Sequence, residues 1–403
     1  MTACFGGWSL DALDVQIFSF VIPSLIAVWH ISTGEAGVLG TVTLLVSAFG
    51  GWLAGAAADR FGRVRVLQVT VLWYALFTFL CGFAQDFNQL FLFRALQGLG
   101  FGGEWAAGAV LMGEVIRDRY RGRAVGLVQT GWSIGWGLAA LLYTAFFAWL
   151  PEATAWRALF WIGIAPAALV FFIRRYIEEP AISRDGAAPG AGFAHIVSPL
   201  RRPHLPTVLK LVLMVTGAQG GSYAMSIWLP TYLKTARHLS AVGTGSYLIV
   251  LIVGSFCGFL AGAYLADGIG RKATFLVSAV GSVLLTLVYV FAPIGNDAIL
   301  LVGFPLGFIS YMMFSPMGSF MTELFPTVVR GVAQGFCYNA GRGIGALFPA
   351  FVGFLSRQLS LGPAIALFCC LGYGLMIVGL VLLPETRGRA LTDLDAAHRA
   401  GAA

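Results

Sequence analysis

Long apolar runs separated by short polar breaks dominate the chain. They fall at about 3–29, 35–58, 66–85, 88–114, 123–149 and 157–177, then at about 207–233, 240–266, 273–293, 297–322, 331–356 and 361–383. Each is near the roughly 20 residues that an α-helix needs to cross a hydrocarbon layer about 30 Å thick. The pattern predicts an all-α polytopic membrane protein with twelve transmembrane helices in two sets of six. Between the sets, Ile177 to Pro206 is polar, rich in Pro, Gly and Ala, and carries Glu178, Glu179, Arg184, Asp185, Arg201 and Arg202. The expected division is therefore a six-helix bundle over 1–177, a cytoplasmic linker over 178–206, a second six-helix bundle over 207–383 and a cytoplasmic tail over 384–403.

Composition agrees with that pattern: 58% of the residues are hydrophobic and only 11% charged, for a mean hydropathy of +0.83. The net charge of +7 could suit nucleic acid or an acidic partner, but the placement of the basic residues points elsewhere. With a cytoplasmic N-terminus, one side receives Arg60, Arg63, Arg65, Arg117, Arg119, Arg121 and Arg123, the linker, Arg271, Lys272, Arg330 and the tail. The other side receives only Arg157, Lys234, Arg237 and Arg357. This is the positive-inside bias, and an even helix count puts both termini in the cytoplasm. No charged segment followed by a small-residue cleavage site precedes the first run, so that helix is expected to be retained. The six cysteines lie within apolar runs and read as packing residues, without metal-ligand spacing. All five histidines fall in loops, linker or tail, which argues against a histidine proton relay within the membrane.

Against this background the charges inside the apolar runs stand out. In WSLDALDVQIFSF, Asp11 and Asp14 share one helix face, and Asp14 lies on the order of 15 Å from the start of its run, near the midplane. A carboxylate at that depth costs about 2.5–3.5 kcal/mol on insertion scales and marks a water-filled path, a proton relay or a paired cation; the plainer reading is a structural ion pair. Arg94 in the fourth helix falls at similar depth and is a candidate partner for Asp14. Glu104, farther along that helix, is a candidate to face Asp11, and two close carboxylates favour a shared proton. Arg342, in YNAGRGIGALFP of the eleventh helix, also falls near the midplane, with no acidic residue at comparable depth in the second half. Its planar fork suits an acidic substrate, and an ion pair across the halves is the alternative. Gln129, Trp132, Gln219, Ser222, Tyr223, Tyr311 and Asn339 are candidates to complete a cavity around it.

The two halves repeat one another. Asp59 and Arg63 in DRFGR recur as Asp267 and Arg271 in DGIGR, each offset by 208 (267 − 59 and 271 − 63). Glu114 and Arg121 recur as Glu323 and Arg330, each offset by 209 (323 − 114 and 330 − 121). Two six-helix units of common design that rock about a central site are expected. These four acid and arginine pairs are candidate cytoplasmic gates, each a carboxylate at a helix end facing an arginine near the next.

The DRFGR loop and its echo resemble the signature between helices two and three of the major facilitator superfamily, and LPETRGRAL resembles the closing motif of its sugar-porter side. WSLDALD, RALQGLGFGGEW and WRALFWIGIAP resemble the sialate and monocarboxylate proton symporters and, more distantly, the aromatic-acid proton symporters. That resemblance implies the major facilitator fold and a proton-coupled symporter, in a bacterial inner membrane, that imports a small organic acid by alternating access. Asp11, Asp14, Arg94 and Glu104 are then expected to couple protons. The partners implied are the acid, the proton and the lipid bilayer, with no cofactor, metal or nucleic acid and a monomer as the working unit. A sugar or polyol porter is the nearest alternative, since it shares the tail motif; a non-transporting membrane sensor is the next. No Ser-His-Asp, metal-ligand or nucleotide-binding pattern supports an enzyme.

Overall fold

The computed structural model describes residues 2–61, 63–115, 121–165, 167–168 and 204–387. Within these, the side chains of 2–4, 55, 56, 58–60, 63, 103–115, 121–126, 327 and 328 lie outside the description. The candidate side chains Asp59, Arg63, Glu104, Glu114 and Arg121 therefore fall outside the described residues, as do most of the linker and the end of the tail.

Every described element is helical. The first half contains α1 (Thr2–Trp29), α2 (Thr33–Phe61), α3 (Arg63–Cys81), α4 (Phe87–Val115), α5 (Arg121–Trp149) and α6 (Glu152–Trp161), the last prolonged by one 3-10 turn at Ile162–Ile164. The second contains α7 (Leu205–Thr235), α8 (Ala241–Gly268), α9 (Arg271–Phe291), α10 (Asn296–Met312), α11 (Phe314–Thr322), α12 (Thr327–Gly345), α13 (Phe348–Leu359) and α14 (Leu361–Val381). The runs expected as single helices at 297–322 and 331–356 are each broken in two. Proline explains both breaks. Pro316 offers no N–H to the carbonyl of Met312 and crowds it, and Pro349 does the same to Gly345, where α10 and α12 end. Taking each broken pair as one pass gives the twelve-helix architecture, six passes in each half.

Local chemistry fixes the helix starts. Before α2, Ser32 and Glu35 form a reciprocal cap: the Ser32 N–H donates to Glu35 Oε2 at 2.7 Å, and the Glu35 N–H donates to Ser32 Oγ at 3.2 Å. Ser240 caps α8 through the Gly243 N–H at 3.0 Å.

In the first half α2 packs on α4, and α1 on α5; in the second, α7 packs on α14 and α8 on α10. A Cβ at Gly102 would overlap the carbonyl oxygen of Ser47, so glycine is what lets α4 lie against the backbone of α2. Between the halves, α5 meets α8, and α2 meets α12 and α13. Thr41 of α2 shows how the halves interlock. Its hydroxyl donates to the carbonyl of Ala346 at 2.7 Å and accepts from the N–H of Ala350 at 3.2 Å. Both are helix-end groups left without an in-helix partner by the break at Pro349, so one half satisfies the backbone of the other.

Candidate functional site

Between the halves lies a cavity of about 30 Å³, and Arg342 forms part of its wall. The arginine reaches it because α12 passes close to α2: Gly343 of α12 abuts Ala48, and Trp52 stacks on Phe336 at 5.7 Å. Arg342 is only 1% exposed. Its Nη2 donates to the carbonyl of Ser47 at 3.4 Å, its guanidinium lies over the rings of Phe101 at 5.1 Å and Tyr338 at 5.8 Å, and its Nε has no partner. No described carboxylate comes within ion-pairing distance of it. A buried guanidinium with one long bond to a carbonyl is incompletely paired, and its remaining donors suit a ligand carboxylate.

The rest of the wall is mostly aromatic, with Trp8, Trp132, Tyr223, Phe259, Tyr311 and Phe314 beside the arginine. Trp8 and Trp132 lie 5.2 Å apart, ring to ring. Polar groups come from Gln129, Gln219, Ser222 and Ser226. A second cavity of about 10 Å³ adjoins the first, sharing Ser222, Ser226 and Tyr311 and adding Trp136, Ser310 and Tyr373. The lining thus sets one cation beside aromatic faces and a few amide and hydroxyl groups.

Seven of the eight residues proposed from the sequence for substrate therefore line one cavity: Arg342, Gln129, Trp132, Gln219, Ser222, Tyr223 and Tyr311. Asn339 does not. Its Nδ2 donates to the carbonyl of Gly335 at 2.9 Å and its side chain fills the space beside Gly51, where α12 crosses α2. Trp8, Phe101, Ser226, Phe259, Phe314 and Tyr338 were not singled out by the sequence, because an aromatic residue in an apolar run carries no sign of which face meets a cavity.

Asp14 sits elsewhere, inside the first half among α1, α3, α4 and the 3-10 turn. The expected direct pair with Arg94 is not made; Gln97 stands between them. Gln97 Nε2 donates to Asp14 Oδ2 and, at 2.8 Å, to Thr78 Oγ1, while its Oε1 accepts from Arg94 Nη1 at 3.1 Å. Arg94 also donates through Nε to the carbonyl of Leu39 at 3.4 Å and lies 3.9 Å over the ring of Phe18. Asp11 is fully buried.

A third cluster joins the loop before α9 to the tail. Arg271 Nη1 pairs with Asp267 at 2.7 Å and Nη2 with Glu323 at 3.1 Å, and Glu323 in turn accepts from the Thr386 hydroxyl. Glu323 was expected to face Arg330; instead Arg330 Nε donates to the carbonyls of Thr322 at 3.1 Å and Phe325 at 3.2 Å. The difference follows from the short turn after α11, whose exposed carbonyls lie nearest to Arg330. Glu385 accepts from the N–H groups of Arg271 at 3.2 Å and Lys272 at 3.0 Å, capping α9 from the tail. Burial opposes its charge, but these and the Thr386 and Arg387 N–H groups hold its carboxyl below the usual range.

Twelve helical passes in two halves, with a charged cavity between them, define a membrane transporter. The chain belongs to the Major Facilitator Superfamily, whose sequence profile matches residues 4–349. It is 43% identical over 398 residues to a probable 4-methylmuconolactone transporter of Cupriavidus pinatubonensis, across 98% of this chain and 92% of that one. To the cis,cis-muconate transport protein of Acinetobacter baylyi it is 31% identical over 382 residues, across 92% and 90%. It also superposes on the inward open xylose transporter XylE from E. coli with a TM-score of 0.77, at 17% identity and 98% coverage of both chains, a likeness of fold alone. The protein is thus an integral membrane transporter and not an enzyme.

Proposed function

We propose that this transporter imports a small organic acid together with a proton by alternating access. The observation that carries the proposal is Arg342, a buried guanidinium on the cavity wall with no described carboxylate beside it. A carboxylate engages its planar fork with two parallel hydrogen bonds. A sugar leaves the charge uncompensated, and an uncompensated buried charge costs several kcal/mol. The relatives named for a muconolactone and for cis,cis-muconate support an acid of that size. The aromatic walls favour an unsaturated one.

Asp14, with Arg94 nearby, is the proposed proton site; Asp11 and Glu104 are the further acids of that route. The bundles over 1–177 and 207–383 are the two bodies that rock, joined by the linker over 178–206. Arg271 with Asp267 and Glu323, the repeat-related Asp59, Arg63, Glu114 and Arg121, and Arg330 form the cytoplasmic gates, with the tail from 384 beside them. The basic residues favour both termini on the cytoplasmic side of a bacterial inner membrane, and a single chain holds the whole cavity.

Uptake into proteoliposomes tests the proposal. With muconolactone, cis,cis-muconate, lactate, hydroxybenzoate, sialate and glucose as candidates, an acid is expected to accumulate with an imposed pH gradient. If a monocarboxylate enters with one proton the cycle moves no net charge, so a clamped potential, which contributes about 2.3 kcal/mol per charge per 100 mV, is expected to have no effect. Glucose as the best substrate would instead favour a sugar porter.

A further inference from the structure

We infer that Gln97 is the positioning residue that keeps Arg94 and Asp14 apart and so leaves Asp14 free to exchange a proton. This rests on the proton-coupled reading above and adds a residue that it does not use. Gln97 is 1% exposed, and both ends of its amide are committed. The carbonyl oxygen faces the cation and the amino group faces the carboxylate and Thr78. The flanking charges select that orientation, since the reverse would set an N–H against the guanidinium and an oxygen against the carboxylate.

Thr78 is held in turn. Its hydroxyl donates to the carbonyl of Tyr74 at 2.8 Å, so its lone pairs face Gln97. Arg94 also donates to the carbonyl of Leu39 and lies over the ring of Phe18. Asp14 Oδ1 has no hydrogen-bond partner and lies against Gly163, where a Cβ would come within 3.5 Å of it. A proton can therefore bind Oδ1 while Gln97 keeps its bond to Oδ2. Among the described residues, the ionisable groups that interact with Asp14 are Arg94 from α4 and Cys81 from α3; Asp11 lies one turn back on its own helix, and the 3-10 turn brings Gly163.

An opposite charge in direct contact favours the ionised carboxylate, and an amide between the two weakens that bias without removing it. Arg94 then stabilises the unprotonated state without locking it.

The test is the pH profile of uptake by the full-length protein in proteoliposomes, read beside substrate exchange, which requires no net proton movement. Gln97→Met keeps the side-chain length and removes both hydrogen bonds. Exchange is expected to persist, while the uptake profile moves toward acid by about one pH unit or more as Arg94 closes on Asp14. Gln97→Glu keeps the bond to Arg94 and sets a carboxylate against Asp14, which moves the profile toward alkali. It also carries the test if Gln97→Met does not reach the membrane. Wild-type profiles in both variants, with exchange intact, would overturn the role of Gln97 while leaving proton coupling in place. Wild-type uptake that ignores the pH gradient would overturn the coupling itself.

Discussion

Lys234 of α7 and Glu152 at the start of α6 lie 2.8 Å apart and tie the two halves together at the end of the bundle away from the tail. Ser24 of α1 donates to the same carboxylate oxygen at 2.8 Å. The hydrogen bond from Lys234, against the opposing effect of burial, holds the Glu152 carboxyl below its usual range. A carboxyl whose folded value is depressed contributes above its ordinary value, about 4.3, and loses that contribution as pH falls through the folded value. The pair is partly exposed, so about 1 kcal/mol is its upper range, or roughly fivefold in a two-state population. Glu152→Gln is expected to raise outside labelling of a cysteine at Ser226 by up to about fivefold, with acid doing the same to the otherwise unchanged protein. Exchange of the two charges between the positions should restore the slow rate. Equal labelling in all three proteins would show that the pair does not hold this end closed.

Gly37 gives a steric version of the same test. A Cβ there would lie 2.6 Å from the Pro349 carbonyl oxygen and 2.9 Å from Ala350 Cα, both in the opposite half. Gly37→Val therefore wedges the halves apart without entering its own bundle. Faster outside labelling at Ser226 with loss of uptake is expected; normal uptake by the valine variant would mean that the halves do not close here during transport.

Asp14 is expected to separate driving force from binding. Asp14→Asn keeps a hydrogen-bond acceptor for Gln97 and removes the proton site. Accumulation driven by a pH gradient should disappear while exchange of substrate persists. Retention of gradient-driven accumulation would remove Asp14 from the mechanism.

Glu385 concerns stability rather than transport. It caps α9 from outside the helix, and loss of a side-chain cap typically costs about 1 kcal/mol. Glu385→Ala should lower the thermal midpoint of the detergent-purified protein near pH 7. Because the carboxyl is held below its usual range, the difference is present above that range and shrinks as pH falls through the depressed value. A difference independent of pH would assign the effect to something other than the charge.

The twelve passes were legible in the sequence because a span must be apolar for about 20 residues, a signal that no tertiary contact overrides. The breaks at Pro316 and Pro349 were not read from those apolar runs; the prolines that cause them are visible, but prolines at Pro23 and Pro230 sit inside continuous helices. Arg342 was legible as a charge in the wrong medium. Gln97 was missed because an amide in an apolar run looks like packing until the residues at its two ends are known. Asn339 was misjudged for a related reason: its depth is that of Arg342, but its face is turned toward Gly51.

The central claim is that Arg342 receives the substrate carboxylate, and substrate affinity in Arg342 variants tests it most directly. Arg342→Lys keeps the charge but lacks the planar fork, so it should weaken binding, and Arg342→Ala should weaken it further, by tenfold for each 1.4 kcal/mol lost. Amide or ester analogues of the substrate should discriminate poorly between wild type and either variant. Titration of purified, folded protein keeps lost expression from imitating lost binding. The account predicts the order wild type, Arg342→Lys, Arg342→Ala for the acid and near-equality for the neutral analogues; an Arg342→Ala protein that binds the acid as tightly as wild type contradicts it.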